Sequence, residues 1–262
     1  MPMLVKKYSR LALLPLLMLV LFACSKQQPA VQESELSLSL VCEQDFLSSK
    51  AGEGIVSANR LYCFVFAEGE SQPLSCSQTE LNPSGTTDLK IRLFKDKPYV
   101  LAFWAYSDAS SYSISESGTV SFPAAPAAND ANLDAFYAKA SITGGQGRLS
   151  VTLKRAVAKI NVSLANPVPA AATASISVDQ AYKTFDLLSG EVSDPGVLTF
   201  SPAPLPDIRN VAYTYLFAPQ EQVHSCSMNL KVLDSAASEL LSTTLANIPV
   251  QRNLQTNITY NN

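Results

Sequence analysis

Few residues in this chain have a type and spacing that could carry chemistry, and most of those are cysteines. Of the five cysteines, Cys42, Cys63, Cys76 and Cys226 are so widely spread that no CxxC pair forms. Four is an even number, so one or two disulfides are open to them in an oxidising compartment. The competing role, a small buried hydrophobe, suits Cys63 equally well, since Leu61, Tyr62, Phe64, Val65 and Phe66 flank it. A zinc site needs clustered ligands. The single histidine, His224, has only Cys226 near it, so no metal site is expected. A serine nucleophile would lack its base, and there is no Gly-x-Ser-x-Gly elbow. The carboxylate pairs Glu33/Glu35 and Asp130/Asp134 fall in segments that read as tether or loop, where solvated surface charge is expected in place of acid–base catalysis. Gly144-Gly145-Gln146-Gly147 has neither the strand-to-helix setting nor the Lys-Ser/Thr of a phosphate cradle. No catalytic residue and no cofactor emerges, and the chain reads as a protein that is not an enzyme.

The fifth cysteine is different. Lys6, Lys7 and Arg10 precede an apolar run from Leu11 to Leu21, and the run closes on Phe22-Ala23-Cys24. The run is too short to span a bilayer, which takes about 20 apolar residues. A basic start, a short apolar middle and a small residue before cysteine resemble a bacterial lipoprotein signal peptide. That resemblance implies that residues 1–23 are removed and that Cys24 becomes the first residue and carries palmitate-type acyl chains. More than one chain gives stable attachment, so the partner implied at this end is the outer membrane. Residues 24–34 are polar, with Gln27, Gln28, Pro29 and Gln32, and read as a flexible tether.

The elements behind these residues are strands. About 240 residues follow the signal segment, enough for two ordinary domains. The net charge is −3 with only 16% charged residues, so no basic face is available for nucleic acid. Helix-period stripes are scarce. Leu36, Leu38 and Leu40 alternate with Ser37 and Ser39, giving a first strand with one apolar face from residue 35 to Cys42. Residues 60–67 and 99–106 are nearly continuous apolar and aromatic runs, the pattern of strands buried on both faces. Trp104 lies in the second of these and is expected in the core. A short edge strand is expected at 118–122. Pro202, Pro204 and Pro206 predict a rigid loop outside any sheet interior.

The longest β pattern runs from Arg148 to Leu164. Leu149, Val151 and Leu153 form a row on odd positions, whereas Ala156, Ala158, Ile160, Val162 and Leu164 form one on even positions. A period of two cannot change parity without an extra residue or a bend, so a bulge or crossover is expected near Lys154-Arg155. One strand would thereby serve two packed layers or join two domains, which we place at 35–147 and 148–262.

Several of these segments also carry a family resemblance when taken together and in order. Behind the lipobox come 60–66, 99–106, Asp134-Ala135-Phe136-Tyr137, 153–162 and 248–258. This ordered set resembles the fimbrillin-like lipoproteins of Bacteroidales, the subunits and accessory proteins of type V pili. The resemblance implies an all-β fold of two β-sandwich domains with transthyretin-like (fimbrillin) topology. It implies a surface-exposed, pilus-associated protein on the cell outer membrane. Its partners would be other pilus subunits or ligands on host or bacterial surfaces, and assembly would proceed by β-strand complementation. The exchangeable first strand would be the one carrying Leu36, Leu38 and Leu40. Family stalk subunits lose that strand to an Arg-directed protease, but no arginine lies between Cys24 and Arg60 here. The chain also stops at Asn262, where a further strand segment is expected of family members. Both features favour an accessory, anchor or adhesive role over that of a cleaved stalk subunit. The alternative is an outer-membrane carbohydrate-binding lipoprotein with Tyr106, Tyr112 and Tyr137 in its groove.

Overall fold

The structure, a computed structural model, describes residues 32–43 and 57–262. The expected signal segment, Cys24 and most of the expected tether lie outside the described residues. In chain order the strands are β1 (Glu33–Cys42), β2 (Arg60–Ala67), β3 (Pro73–Glu80), β4 (Thr87–Phe94), β5 (Pro98–Tyr106), β6 (Ser113–Ile114), β7 (Thr119–Ser121), β8 (Ala135–Thr143) and β9 (Arg148–Arg155). They continue as β10 (Val157–Leu164), β11 (Thr173–Asp186), β12 (Val192–Pro204), β13 (Asn210–Phe217), β14 (His224–Leu233), β15 (Glu239–Val250) and β16 (Gln255–Tyr260). A 3-10 turn at Ala131–Leu133 precedes β8. The fold is all-β, as the alternation implied, in two β-sandwiches.

The first sheet has the order β3-β2-β5-β8-β9-β1-β4. It doubles over between β8 and β9, which pair only at Phe136 with Arg155 and Tyr137 with Lys154. Folding at that line brings Leu36, Leu38 and Leu40 of β1 against Leu61, Cys63 and Val65 of β2 and Leu101 and Phe103 of β5. The second sheet has the order β15-β14-β11-β13-β10-β16, with β12 and β7 added along β11 and β6 on β7. It doubles over where β11 and β13 share the single pair Tyr182 and Phe217. Its core takes alternate residues of β10, β11 and β14, including Ile160, Val162, Ile176, Val178, Met228 and Leu230. The turn before β9 depends on Gly144, because a Cβ there would collide with the carbonyl of Phe94.

The two sandwiches share apolar surface. Phe64, Phe66, Ala102 and Trp104, on the opposite face of β2 and β5 from the first core, belong to the second core. This double burial is why those two strands read as unbroken apolar runs. Trp104 is fully buried, with ring centroids 5.2 Å from Phe185, 5.9 Å from Phe217 and 5.8 Å from Tyr112. Its Nε1–H has no acceptor among the described residues, so the side chain is held there by packing.

The parity change falls where two sheets meet. β9 ends at Arg155 and β10 starts at Val157, so the chain passes from the first sheet to the second at Ala156, one residue beyond the expected position. One expectation needs correction. The proline-rich stretch is not a loop, since Pro202 and Pro204 lie within β12. Among the described residues its one ladder is with β11, and on the other side only an isolated bridge joins Ser201 to Ala127, so Pro202 and Pro204 sit where no second ladder needs their N–H. Residues 181–186 form the end of the long strand β11.

Phe217 touches Trp104, Tyr112, Phe122 and Phe185. The variant Phe217→Ala is expected to lose about 3–5 kcal/mol of stability, read as a lowered midpoint in urea unfolding.

Candidate functional site

The expected exchangeable strand, β1, occupies the middle of a sheet. It runs antiparallel to β4, from Glu33 opposite Phe94 to Leu40 opposite Thr87. On its other side it runs parallel to β9, from Ser37 beside Arg148 to Cys42 beside Leu153. Leu36, Leu38 and Leu40 are at most 1% exposed and Cys42 faces the same core, while Ser37 and Ser39 face outward. Each buried leucine contributes roughly 1.5–3 kcal/mol. At the rim, Lys90 Nζ donates to Glu35 Oε1 at 2.7 Å. That hydrogen bond, together with the charge of Lys90, holds the Glu35 carboxyl below its ordinary range.

The far end of β1 is tied to the second sandwich. Glu43 donates its backbone N–H to the Leu153 carbonyl, and its carboxylate accepts from Asn253 Nδ2 at 2.8 Å. Asn253 is 4% exposed and has φ of +59°, and its own N–H donates to the Val157 carbonyl. The first strand is therefore pinned at both ends, with the second pin 210 residues away along the chain.

Close to that pin lies an ion pair the sequence reading missed. Asp134 was expected as solvated surface charge, yet it is 1% exposed, and Arg155, equally buried, donates Nε to its Oδ2 at 3.0 Å. The guanidinium of Arg155 also lies 5.0 Å from the Phe136 ring centroid. Burial pushes the Asp134 carboxyl up to about 6, against the pull of Arg155 and Lys159. Asp130 caps the adjacent 3-10 turn by accepting from the Asn132 N–H.

The remaining candidates are structural. Cys63, Cys76 and Cys226 are free thiols in this structure. Cys63 faces the first core, Cys226 the second, and Cys76 the exposed side of β3. Burial pushes the Cys42 and Cys63 thiols up to about 12, which keeps both protonated and inert. His224 sits against the Tyr182 ring with Nε2 2.7 Å from the Gln180 carbonyl oxygen. The three tyrosines offered as a sugar platform do not form one. Tyr112 is buried and donates to the Leu133 carbonyl, Tyr106 stacks on Tyr62, and Tyr137 donates to the Leu187 carbonyl.

Comparison with known proteins agrees with this architecture. The model of DUF6562, a family of unknown function, matches residues 27–261. No curated protein matches the chain in sequence. Among solved structures, the fimbrial anchor protein Mfa2 from Porphyromonas gingivalis is similar at TM-score 0.52 and 15% identity, over 81% of this chain and 83% of that one. Proteins from Bacteroides thetaiotaomicron described as candidate polysaccharide-binding proteins (DUF1812) give TM-score 0.52 and 13% identity over 87% and 89%. A candidate adhesin from Bacteroides ovatus gives 0.51 and 13% over 80% and 76%. At these identities the likeness is one of fold.

The raised Asp134 pKa has a defined sign. The folded protein holds this proton more tightly than the unfolded chain, where the carboxyl titrates near its ordinary value of 3.8. The contribution is thus complete below about pH 4 and is lost as pH rises through about 6. Chemical denaturation between pH 4 and 7 is expected to show this slope in the wild type and a flatter profile in Asp134→Asn.

Proposed function

We propose, from the premise that this chain belongs to the DUF6562 family, that it is a cell-surface lipoprotein serving fimbriae as an accessory, anchor or adhesive subunit. In this reading residues 1–23 are a signal peptide and Cys24 carries the lipid that attaches the protein to the outer membrane. Its partners are other pilus subunits, or surface ligands of host or bacterial cells. We place the boundary between the two sandwich domains at Ala156 in place of residue 147, because β9 pairs within the first sheet.

The observation that carries the reading is the seat of β1, a central strand with three leucines in the core and a pin at each end. Strand complementation uses such a slot, in which main-chain hydrogen bonds and alternating pockets receive a strand. We propose that β1 is the exchangeable element of this fold and that here it is retained. Arg60, the first arginine after Cys24, lies in β2 between β3 and β5 and reaches Glu80 and Asp108. An Arg-directed protease could cut there only after the sheet had opened. The likeness of fold to Mfa2, described as a fimbrial anchor protein, supports the anchor role. The carbohydrate-binding alternative is supported by the likeness to DUF1812, but not by the tyrosines first offered for it.

The test is the mass and N-terminal sequence of the protein recovered from outer membranes and from sheared filaments. A membrane-bound form that begins at an acylated Cys24 and retains β1 is expected. A filament-associated form that begins after Cys42 would sink the retention argument.

A further inference from the structure

A cleft of about 590 Å³ opens beside the fold line of the first sheet, within the range of about 300–1,000 Å³ usual for ligand sites. It exists because β8 and β9 separate once past Tyr137 and Lys154, leaving a gap that loops of the second sandwich border. Arg252 shapes it. This residue is 7% exposed and donates Nε to the Ala218 carbonyl, Nη2 to the Gly190 carbonyl and Nη1 to Gln220 Oε1. Its guanidinium lies 4.7 Å from the Phe185 ring centroid. One side chain therefore fastens the loops after β11 and β13 to the turn after β15, with one hydrogen bond from each of its three nitrogens. Gly190, at φ +79°, lets its loop lie against Tyr137, where a Cβ would stand 3.1 Å from the phenol oxygen.

The groups left over define what the cleft could hold. Lys154, Glu191 and Glu221 line it and have no ion-pair partner among the described residues. Lys139 Nζ donates to the carbonyls of Leu188 and Ser189, at 3.1 and 3.2 Å. In the same lining Asn253 keeps a buried Oδ1 with no partner, an orphan acceptor of the kind that calls for a donor. Ala138 and Leu254 are the only aliphatic side chains in the lining beyond the stems of longer residues. Polar side chains therefore dominate the lining by number, with apolar surface supplied mainly by their stems and by Tyr137. Four cations, Lys139, Lys154, Arg155 and Arg252, line the cleft with the two carboxylates Glu191 and Glu221, in a protein whose net charge is −3. A ligand carrying both hydroxyls and a negative charge matches that set: carboxylates and amides take hydroxyl protons, an ammonium takes a carboxylate, and Tyr137 offers an aromatic edge.

We propose that this cleft binds a carboxylate-bearing sugar, a uronic acid unit, with Lys154 meeting the carboxylate and Glu191 and Glu221 accepting from ring hydroxyls. This gives the adhesive part of the proposed function a ligand class and rests on that reading for its purpose, while its geometry stands alone. The experiment is calorimetric titration of the full chain with digalacturonic acid, with a neutral galactose disaccharide and acetate as controls. Saturable binding of digalacturonic acid alone is expected. It should weaken roughly tenfold or more in Lys154→Ala and when salt is raised to about 0.5 M. Lys154 is exposed on β9, so this variant should keep the wild-type melting temperature. Three results would each overturn the proposal: no saturable uronate binding, equal binding of the neutral disaccharide, or full affinity in Lys154→Ala. None of them bears on the N-terminus at Cys24, so failure here and failure of the anchor reading can be told apart.

Discussion

A β-strand presents successive side chains to opposite faces, so one strand can supply two cores only by slipping its count by a residue. Ala156 is that slip. On one side of it Leu149, Val151, Leu153 and Arg155 point into the first sandwich; on the other Ala158, Ile160, Val162 and Leu164 point into the second. The two flanking strands have matching surroundings. β9 has the parallel neighbour β1, and β10 has the parallel neighbour β16. The slip leaves Arg155 as the last residue of the inward row, beside a fold line where the sheet stops pairing. A buried guanidinium there needs a counter-charge, and Asp134 and the face of Phe136 meet that need.

The sandwiches are further bound through β2 and β5. Each strand sends odd-numbered residues into the first core and even-numbered ones into the second, so neither strand has a face for water. Trp104 sits at the middle of this shared layer. Its unpaired Nε1–H is a cost the packing has to outweigh, and the aromatic contacts with Phe185, Phe217 and Tyr112 surround it on the second-sandwich side.

The strands most legible in the sequence are those with one dry face or two: β1, β9 and β10 by alternation, β2 and β5 by their unbroken apolar runs. The illegible ones have no such face. β3 is exposed along nearly its whole length, with Leu74 61% exposed, so periodicity had nothing to report. β12 carries Pro195, Pro202 and Pro204, which argue for a loop until an edge position is known. Arg155 did leave a signal, since it continues the odd-numbered row of β9, but its partner Asp134 lies 21 residues earlier and no local pattern links them. The cleft was less legible still. Arg252 and Asn253 act through carbonyls and carboxylates tens to hundreds of residues distant, and spacing along the chain carries no trace of such contacts.

β1 joins these constraints to the proposed role. An edge strand can be displaced by breaking one ladder, but β1 has a ladder on each side, three buried leucines and a hydrogen bond to Asn253 at its end. Folded domains are stable by only about 5–15 kcal/mol, and the leucines alone account for a comparable sum at roughly 1.5–3 kcal/mol each. A chain without β1 would therefore not persist as a sandwich with an empty slot. Either β1 stays, or an incoming strand takes its register as it leaves, parallel to β9 and antiparallel to β4. The second course asks an incoming strand to match eight register positions on β4 and six on β9, with small or apolar side chains at every pocket that Leu36, Leu38 and Leu40 fill.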